Sequence, residues 1–447
     1  MGVWATWVLS VARTMWSLVI AVYTQCFVCV PTIMWRSTPF PKDRNALLRD
    51  PEFLFRCLEC RGLAAAGSLT EIETTAPPRE ADKLNHTFLA TVSGGEAASL
   101  EVVVKSCLLR APLWLRVVFS LFPSPEYTFY SLVQEHLPEP TDGKPFLAAP
   151  KAELALDSRR HSHHFLVLRR IAGNVYTDYD GATRDHAHKF LQAVATMHGH
   201  FWGKEDSVLG KQVRQINSAP VALVPKIIFL TPLRRHRVTW DALEACLAAS
   251  LPGTICHGDC RYGNTLWPTD ESDPRVYFLD WEMHMWKDAL WDVVYFLWLS
   301  VRPKESVGPL EGSLASTDWE YINAWRQRLC TFLPDSQHIP SGPSFETLMK
   351  LAQLRYAFFV AVVVAIGAAD EWEDNNPLDH QVWTKNIALR QDRLWERELK
   401  TGEIAAALDE FSPEHSPWKP RLFDLYQEGV KMKTREIAKR RLKGHAE

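Results

Sequence analysis

The chain has 447 residues, 47% of them apolar, and a formal charge of -3, so it exceeds one ordinary hydrophobic core and fits two lobes with appendages. The charge balance holds no basic surplus, and nucleic acid is not an expected partner. Nine cysteines over this length do not make a disulfide framework, and a reducing compartment fits them.

The first feature in the chain is an uncharged run, MWSLVIAVYTQCFVCVPTIMW, from Met15 to Trp35. It reaches the roughly 20 residues that a membrane-crossing helix needs. No small-residue cleavage site stands out, so residues 1–36 read as a retained membrane anchor rather than a removed signal peptide. Arg36, Lys42, Arg44 and Arg49 follow the run and Arg13 alone precedes it, which places the rest of the chain on the cytosolic side. If the run lies on the membrane or packs into the fold, the chain is peripheral or cytoplasmic.

RDPEFLFRCLECRGL is predicted as a helix, with Asp50 as N-cap before Pro51 at the first helical position. Cys57 and Cys60 form a helix face rather than a metal pair, because no second pair or nearby His stands at zinc spacing. Three strand-like runs follow, SLTEIETT, HTFLATVSG and SLEVVVKS, separated by turn-rich PPREADKLN and GGEAA. Lys105 ends the third strand behind Val102, Val103 and Val104. PSPEYTFYSLVQEHL is the next helix, with Glu126 near its start and Glu135 further on. His161, His163 and His164 follow a polar loop and read as solvated rather than metal-binding, and HHFLVLRRI is a strand. TRDHAHKFLQAVATMHGHFWG has Phe190, Val194, Met197 and Phe201 at helical spacing, with His198 packed inside the helix.

The most informative stretch is ICHGDCRYGNTLW, Ile255 to Trp267, followed by VYFLDWE, Val276 to Glu282. If TLW and VYFLD are paired strands, Asp259, Asn264 and Asp280 converge at their ends. Asn264 and Asp280 then offer hard oxygen ligands of the kind Mg²⁺ takes, and Asp259 is left for the proton of an incoming hydroxyl. The same spacing of catalytic Asp, metal Asn and later metal Asp serves phosphoryl transfer in kinases. Further on, LRYAFFVAVVVAIGAA, Leu354 to Ala369, is too short to span a bilayer and reads as a buried helix. The basic tail KMKTREIAKRRLKGHAE reads as a solvated helix end.

HGDCRYGNTLW with FLDWEMHMWKDALWDVVYFL resembles the aminoglycoside phosphotransferase and choline kinase-like superfamily, above all its ecdysteroid kinase-like branch, from about Pro41 to the 390s. The resemblance implies an α+β, bilobal protein-kinase-like fold. A small N-lobe with an antiparallel sheet (37–170) precedes a larger, mostly helical C-lobe (171–447) that carries the catalytic loop and a helical acceptor region. It implies transfer of the ATP γ-phosphoryl group to a small-molecule hydroxyl, with Asp259 as base and Asn264 and Asp280 holding Mg²⁺. Lys105 then contacts the nucleotide phosphates, Glu126 is its carboxylate partner with Glu135 as fallback, and Asp292 anchors the loop. His257 and Gly258 read as structural.

Two departures stand out. No GxGxxG lies between the first two strands, and Arg169-Arg170-Ile171 stands where the branch commonly shows Glu-Asp-Leu. Both leave open a membrane-tethered pseudokinase that binds without turnover. The acceptor is a lipid- or steroid-like alcohol, which suits an anchored enzyme, or a choline-like amine if Trp281 and Trp286 with Glu282 form a cation-π box. A protein acceptor is disfavoured by Gly258, which cannot bind an activation-loop phosphate.

Overall fold

The computed structural model describes residues 40–65, 68–75, 86–94, 97–108, 124–158, 163–216, 232–301, 316–334, 339, 343–365 and 377–428. The expected anchor at 1–36, residues 76–85 between the first two strands, and the basic tail 431–447 lie outside them. Among the described residues no helix is long and apolar enough to cross a membrane.

The chain divides into two compact units, one made of Met1–Glu135 with Pro150–Ile171 and the other of His136–Ala149 with Ala172–Glu447. The segment 136–149 joins the second unit, because its only strand pairs there.

The first unit opens with helices α1 (Arg44–Arg49) and α2 (Glu52–Cys60). Asp43 Oδ1 accepts from Ala46 N at 2.8 Å and caps α1. Asp50 is not the N-cap of α2: its own N–H bonds back to Ala46 O and Leu47 O and closes α1, leaving Pro51 in the N-cap position with no side-chain bond. A five-stranded antiparallel sheet follows, built from β1 (Glu71–Thr75), β2 (His86–Gly94), β3 (Ala97–Leu108), β5 (Ala152–Ser158) and β6 (His163–Arg169) in the order β1-β2-β3-β6-β5. Period-two alternation buries Val102 and Val104 with Phe88, Val92, Phe165 and Val167 against Leu47, Leu54 and Leu58 of the helices. Lys105 therefore leaves on the opposite face. It does not end β3, which continues three residues further to Leu108. A short helix α3 (Pro125–Thr128), capped by Ser124, runs into a π-helical turn over Phe129–Val133.

The second unit holds a four-stranded sheet of β4 (Phe146–Ala148), β7 (Gly173–Val175), β9 (Thr265–Pro268) and β10 (Arg275–Phe278), ordered β4-β10-β9-β7. A two-stranded ribbon pairs β8 (Gly253–Cys256) with β11 (Met285–Asp288). Its helices are α4 (Arg184–Phe201), α5 (Val208–Ile216), α6 (Arg237–Ser250), α7 (Leu290–Leu299), α8 (Ser316–Cys330), α9 (Pro343–Ala365), α10 (Pro377–Thr401) and α11 (Glu403–Phe411). Thr183 Oγ1 caps α4 through His186 N at 3.2 Å, and Phe190, Val194, Met197 and Phe201 are buried along one side of it. All ten residues of α7 are buried, as expected for an interior helix that is apolar all round. The described part of the apolar run from Leu354 lies in α9, as its length implied. Within it Arg355, fully buried, makes a bidentate pair with Asp288 at 2.5 and 3.0 Å, the geometry that a desolvated guanidinium requires.

Candidate active site

Antiparallel pairing of β9 with β10 sets Thr265 opposite Phe278. The loops that carry Asn264 and Asp280 therefore leave the same end of two neighbouring strands, as the sequence pattern required. One backbone bond ties them directly, from Leu279 N to Asn264 O at 2.8 Å. Asp259 joins them through Asn264, whose Nδ2 donates to Asp259 Oδ2 at 2.7 Å and to Asp259 O at 3.0 Å. Those bonds fix the amide so that its carbonyl oxygen is the edge turned away from Asp259. Asp280 has φ 61° and ψ 66°, the one positive φ outside glycine among the described residues. A left-handed Asp costs free energy that surrounding structure must hold in place, and such residues concentrate at functional sites.

The loop before Asp259 is anchored from α7. Asp292, fully buried, accepts from His257 N at 2.7 Å through Oδ2 and from Gly258 N at 3.0 Å through Oδ1. Gly258 O accepts from Trp291 Nε1 at 3.0 Å, and His257 Nε2 reaches Leu279 O at 2.8 Å. Gly258 has φ +87°, and a Cβ there would stand 1.9 Å from Met283 O, so this position demands glycine on both counts. His257 and Gly258 thus build the loop, as expected.

His198, Cys256 and Asp292 bring one potential ligand atom each within 4.8 Å of one another. Hydrogen bonds occupy all three. Trp325 Nε1, which can only donate, reaches His198 Nδ1 at 3.1 Å, so the proton of His198 sits on Nε2 and points at Asp292 Oδ2, 3.2 Å away. The Cys256 thiol faces Asp288 O at 3.5 Å, and burial pushes its pKa up. The trio is a packing relay, and His198 is the buried helix histidine that the sequence suggested.

Three further side chains near Asp259 were not singled out in the sequence. Arg261 Nε donates to Asp259 Oδ2 at 3.2 Å and Arg261 Nη1 to Asp178 Oδ2 at 2.7 Å. Asp178 is only 2% exposed and also accepts from Ser300 Oγ at 2.9 Å and Gly263 N at 3.3 Å. Tyr295 of α7 is buried, and burial together with the nearby negative charge of Asp259 drives its phenol pKa well up. Arg261 lies inside the HGD-to-Asn motif and was legible by position. Asp178 and Tyr295 were not.

The first unit contributes a separate pair. Lys105 Nζ lies 2.8 Å from Glu126 Oε2, both nearly buried, and His164 Nε2 approaches the same oxygen at 3.7 Å. β3 and α3 thus bring together the cation and carboxylate named from sequence, and Glu126 rather than Glu135 is the partner. Glu135 lies in the short turn Gln134–His136, which has no buried residue. His163 bonds Ser106 Oγ at 2.9 Å inside β6. Arg169 and Arg170 pair with Glu153 and Glu101, at 2.5 and 3.1 Å.

The donor set fits Mg²⁺ rather than a softer metal. Asn264 and Asp280 supply amide and carboxylate oxygen, while the neighbouring His257 and Cys260 are used in bonding or fully buried. The alternative of an aromatic box does not form at Trp281. Trp281 is fully buried and gives its Nε1 proton to Phe278 O at 2.9 Å, so it is core, as are Trp291, Trp298 and Trp325.

A model of the phosphotransferase enzyme family matches residues 122–328. That segment, a little under half of the chain, is similar to the phosphotransferase enzyme family. The phosphotransferase match takes in Glu126, Asp259, Asn264, Asp280 and Asp292, and begins after Lys105. No curated protein matches the chain. Among solved structures, the chain is similar to a protein of Ralstonia eutropha JMP134 described as a candidate aminoglycoside phosphotransferase, at 15% identity over 78% of this chain and 98% of that one, with a TM-score of 0.46. It is also similar to a choline/ethanolamine kinase family protein of Mesorhizobium loti, at 16% identity over 80% and 98%, TM-score 0.43. An ethanolamine kinase of Plasmodium vivax is similar at 10% identity over 80% and 98%, TM-score 0.46.

Proposed function

We propose that this phosphotransferase moves the γ-phosphoryl group of ATP to the hydroxyl of a small molecule, and that it belongs to the ecdysteroid kinase-like branch. The observation that carries the reading is the Asp259–Asn264 bond at 2.7 Å, tied through Asn264 O to the loop of Asp280. In this reading Asp259 orients the acceptor hydroxyl and takes its proton, Asn264 and Asp280 hold Mg²⁺, and Lys105, steadied by Glu126, contacts the nucleotide phosphates. Mg²⁺ supplies neutralisation of phosphate charge. Transfer asks the chain for position and charge rather than covalent chemistry, and a base fixed by hydrogen bonds is suited to that.

Asp280→Ala is expected to abolish stabilisation by MgATP in a thermal-shift assay while leaving the unliganded transition near that of the parent. Lys105→Met is expected to weaken the same shift, because one phosphate cation is lost. A parent-sized shift in Asp280→Ala places the metal elsewhere. For the acceptor, we favour a lipid- or steroid-like alcohol over a choline-like amine, since Trp281 is buried. ATP consumption against a panel of alcohols tests this directly.

The proposed membrane tether through residues 1–36 rests on its uncharged run. The full chain should then resist high salt and alkaline carbonate extraction, and a chain lacking 1–36 should be released while still phosphorylating a water-soluble acceptor. A full chain recovered in the soluble fraction throughout ends the tether proposal.

A further inference from the structure

Arg261 stands between two carboxylates with different surroundings. Asp178 is buried, with oxygens taken up by Arg261 Nη1, Ser300 Oγ and Gly263 N. Asp259 is more exposed and receives the other edge of the same guanidinium through Nε, on the oxygen that also accepts from Asn264 Nδ2. There is little slack around the pair: a Cβ on Gly263 would lie 3.0 Å from both Arg261 Nη1 and Asp178 Oδ2. Ser300, which holds Asp178, is itself fixed, since its Oγ accepts from Tyr262 N at 2.8 Å.

We propose that Arg261 is a positioning residue for Asp259, with buried Asp178 as the fixed post that sets the guanidinium. The inference rests on the reading above in which Asp259 is the base. Two donors on one carboxylate oxygen stop rotation about the Cβ–Cγ bond, so the other oxygen is presented in a single direction. A planar guanidinium can bridge two carboxylates by two edges, and a lysine ammonium, a point charge on a flexible stem, cannot do this in fixed geometry. The bland competing role for Arg261 is to neutralise Asp178 alone. It predicts that any cation suffices.

Arg261→Lys separates the two, because it keeps a positive charge beside Asp178 and removes the bridge. ATP consumption is measured with alcohol acceptors and with water, in the full chain. The expected result is a fall in kcat of about 10- to 100-fold, the scale of a misplaced reacting group, with KM for ATP changed by no more than about twofold. Placed on top of Asp259→Asn, the same change should cost nothing further, because its effect runs through that carboxylate. Asp178→Asn, which keeps the shape but loosens the post, should shift kcat in the same direction. A kcat for Arg261→Lys within about twofold of the parent, or an equal loss with and without Asp259, overturns the proposal and leaves the phosphotransfer reading intact. A parent that consumes no ATP with any acceptor overturns that reading and this inference together.

Discussion

With Asp259 as the proposed base, Asp259→Asn is expected to give a folded chain that still binds MgATP and turns over about 10²- to 10⁴-fold more slowly, the contribution of a positioned general base. The amide is isosteric with the carboxylate, and its oxygen can still accept from Asn264 Nδ2 and Arg261 Nε as Oδ2 does at 2.7 and 3.2 Å. Folding and nucleotide affinity are therefore spared. Proton acceptance is what disappears. Single-turnover rates at saturating ATP, alongside thermal shift with and without MgATP, separate the two quantities. Parent-like kcat in the variant removes Asp259 from the base role, and loss of the MgATP shift along with kcat makes it a ligand instead.

Asp292→Ala is expected to be the most damaging single change to stability in the second unit. It strips a fully buried carboxylate from His257 N, Gly258 N and His198 Nε2. Each buried donor left without a partner costs about 1–3 kcal/mol, and removal of one member of a buried charged network runs to about 3–5 kcal/mol. A chain of two units need not unfold in one step, so the relevant measurement is the denaturant midpoint of the transition reported by the tryptophans of α7, Trp291 and Trp298. That midpoint should fall clearly, and kcat with it, because the loop carrying Asp259 loses its anchor. An unchanged midpoint contradicts the anchoring role.

What could be seen in the sequence was local. Asp259, Asn264 and Asp280 sit within a short span whose two strands pair directly, so spacing alone placed them together. Gly258 lay in the same motif, and Asp292 came from the family resemblance. Lys105 and Glu126 needed the family resemblance, since nothing in either segment indicates which helix returns to which strand. The strand at Phe146–Ala148 was missed because its partner, Arg275–Phe278, lies far along the chain and three residues give no measurable period. Asp178 looks like one of two turn aspartates in DYDG; its partners Arg261 and Ser300 are 83 and 122 residues away, and burial of a charge by so distant a contact leaves no local mark. Asp50 was misjudged as a cap because the preceding short helix, ending at Arg49, claims its backbone.

Helix α7 holds the HGD loop from near its start and from just past its end. Asp292 holds the loop's first two amides, Trp291 donates to Gly258 O, and Ser300 just past the helix end holds Tyr262. Ten residues at the α-helical rise make a rod about 15 Å long, and the loop is fastened toward both of its ends. Loop and helix therefore open as one unit: amide exchange at His257, Gly258 and Tyr262 has to wait for an interior helix to leave the core, so protection there should match that of the helix rather than that of a surface turn. Whatever part of the molecule moves during a catalytic cycle, this loop is the part against which the movement is referenced.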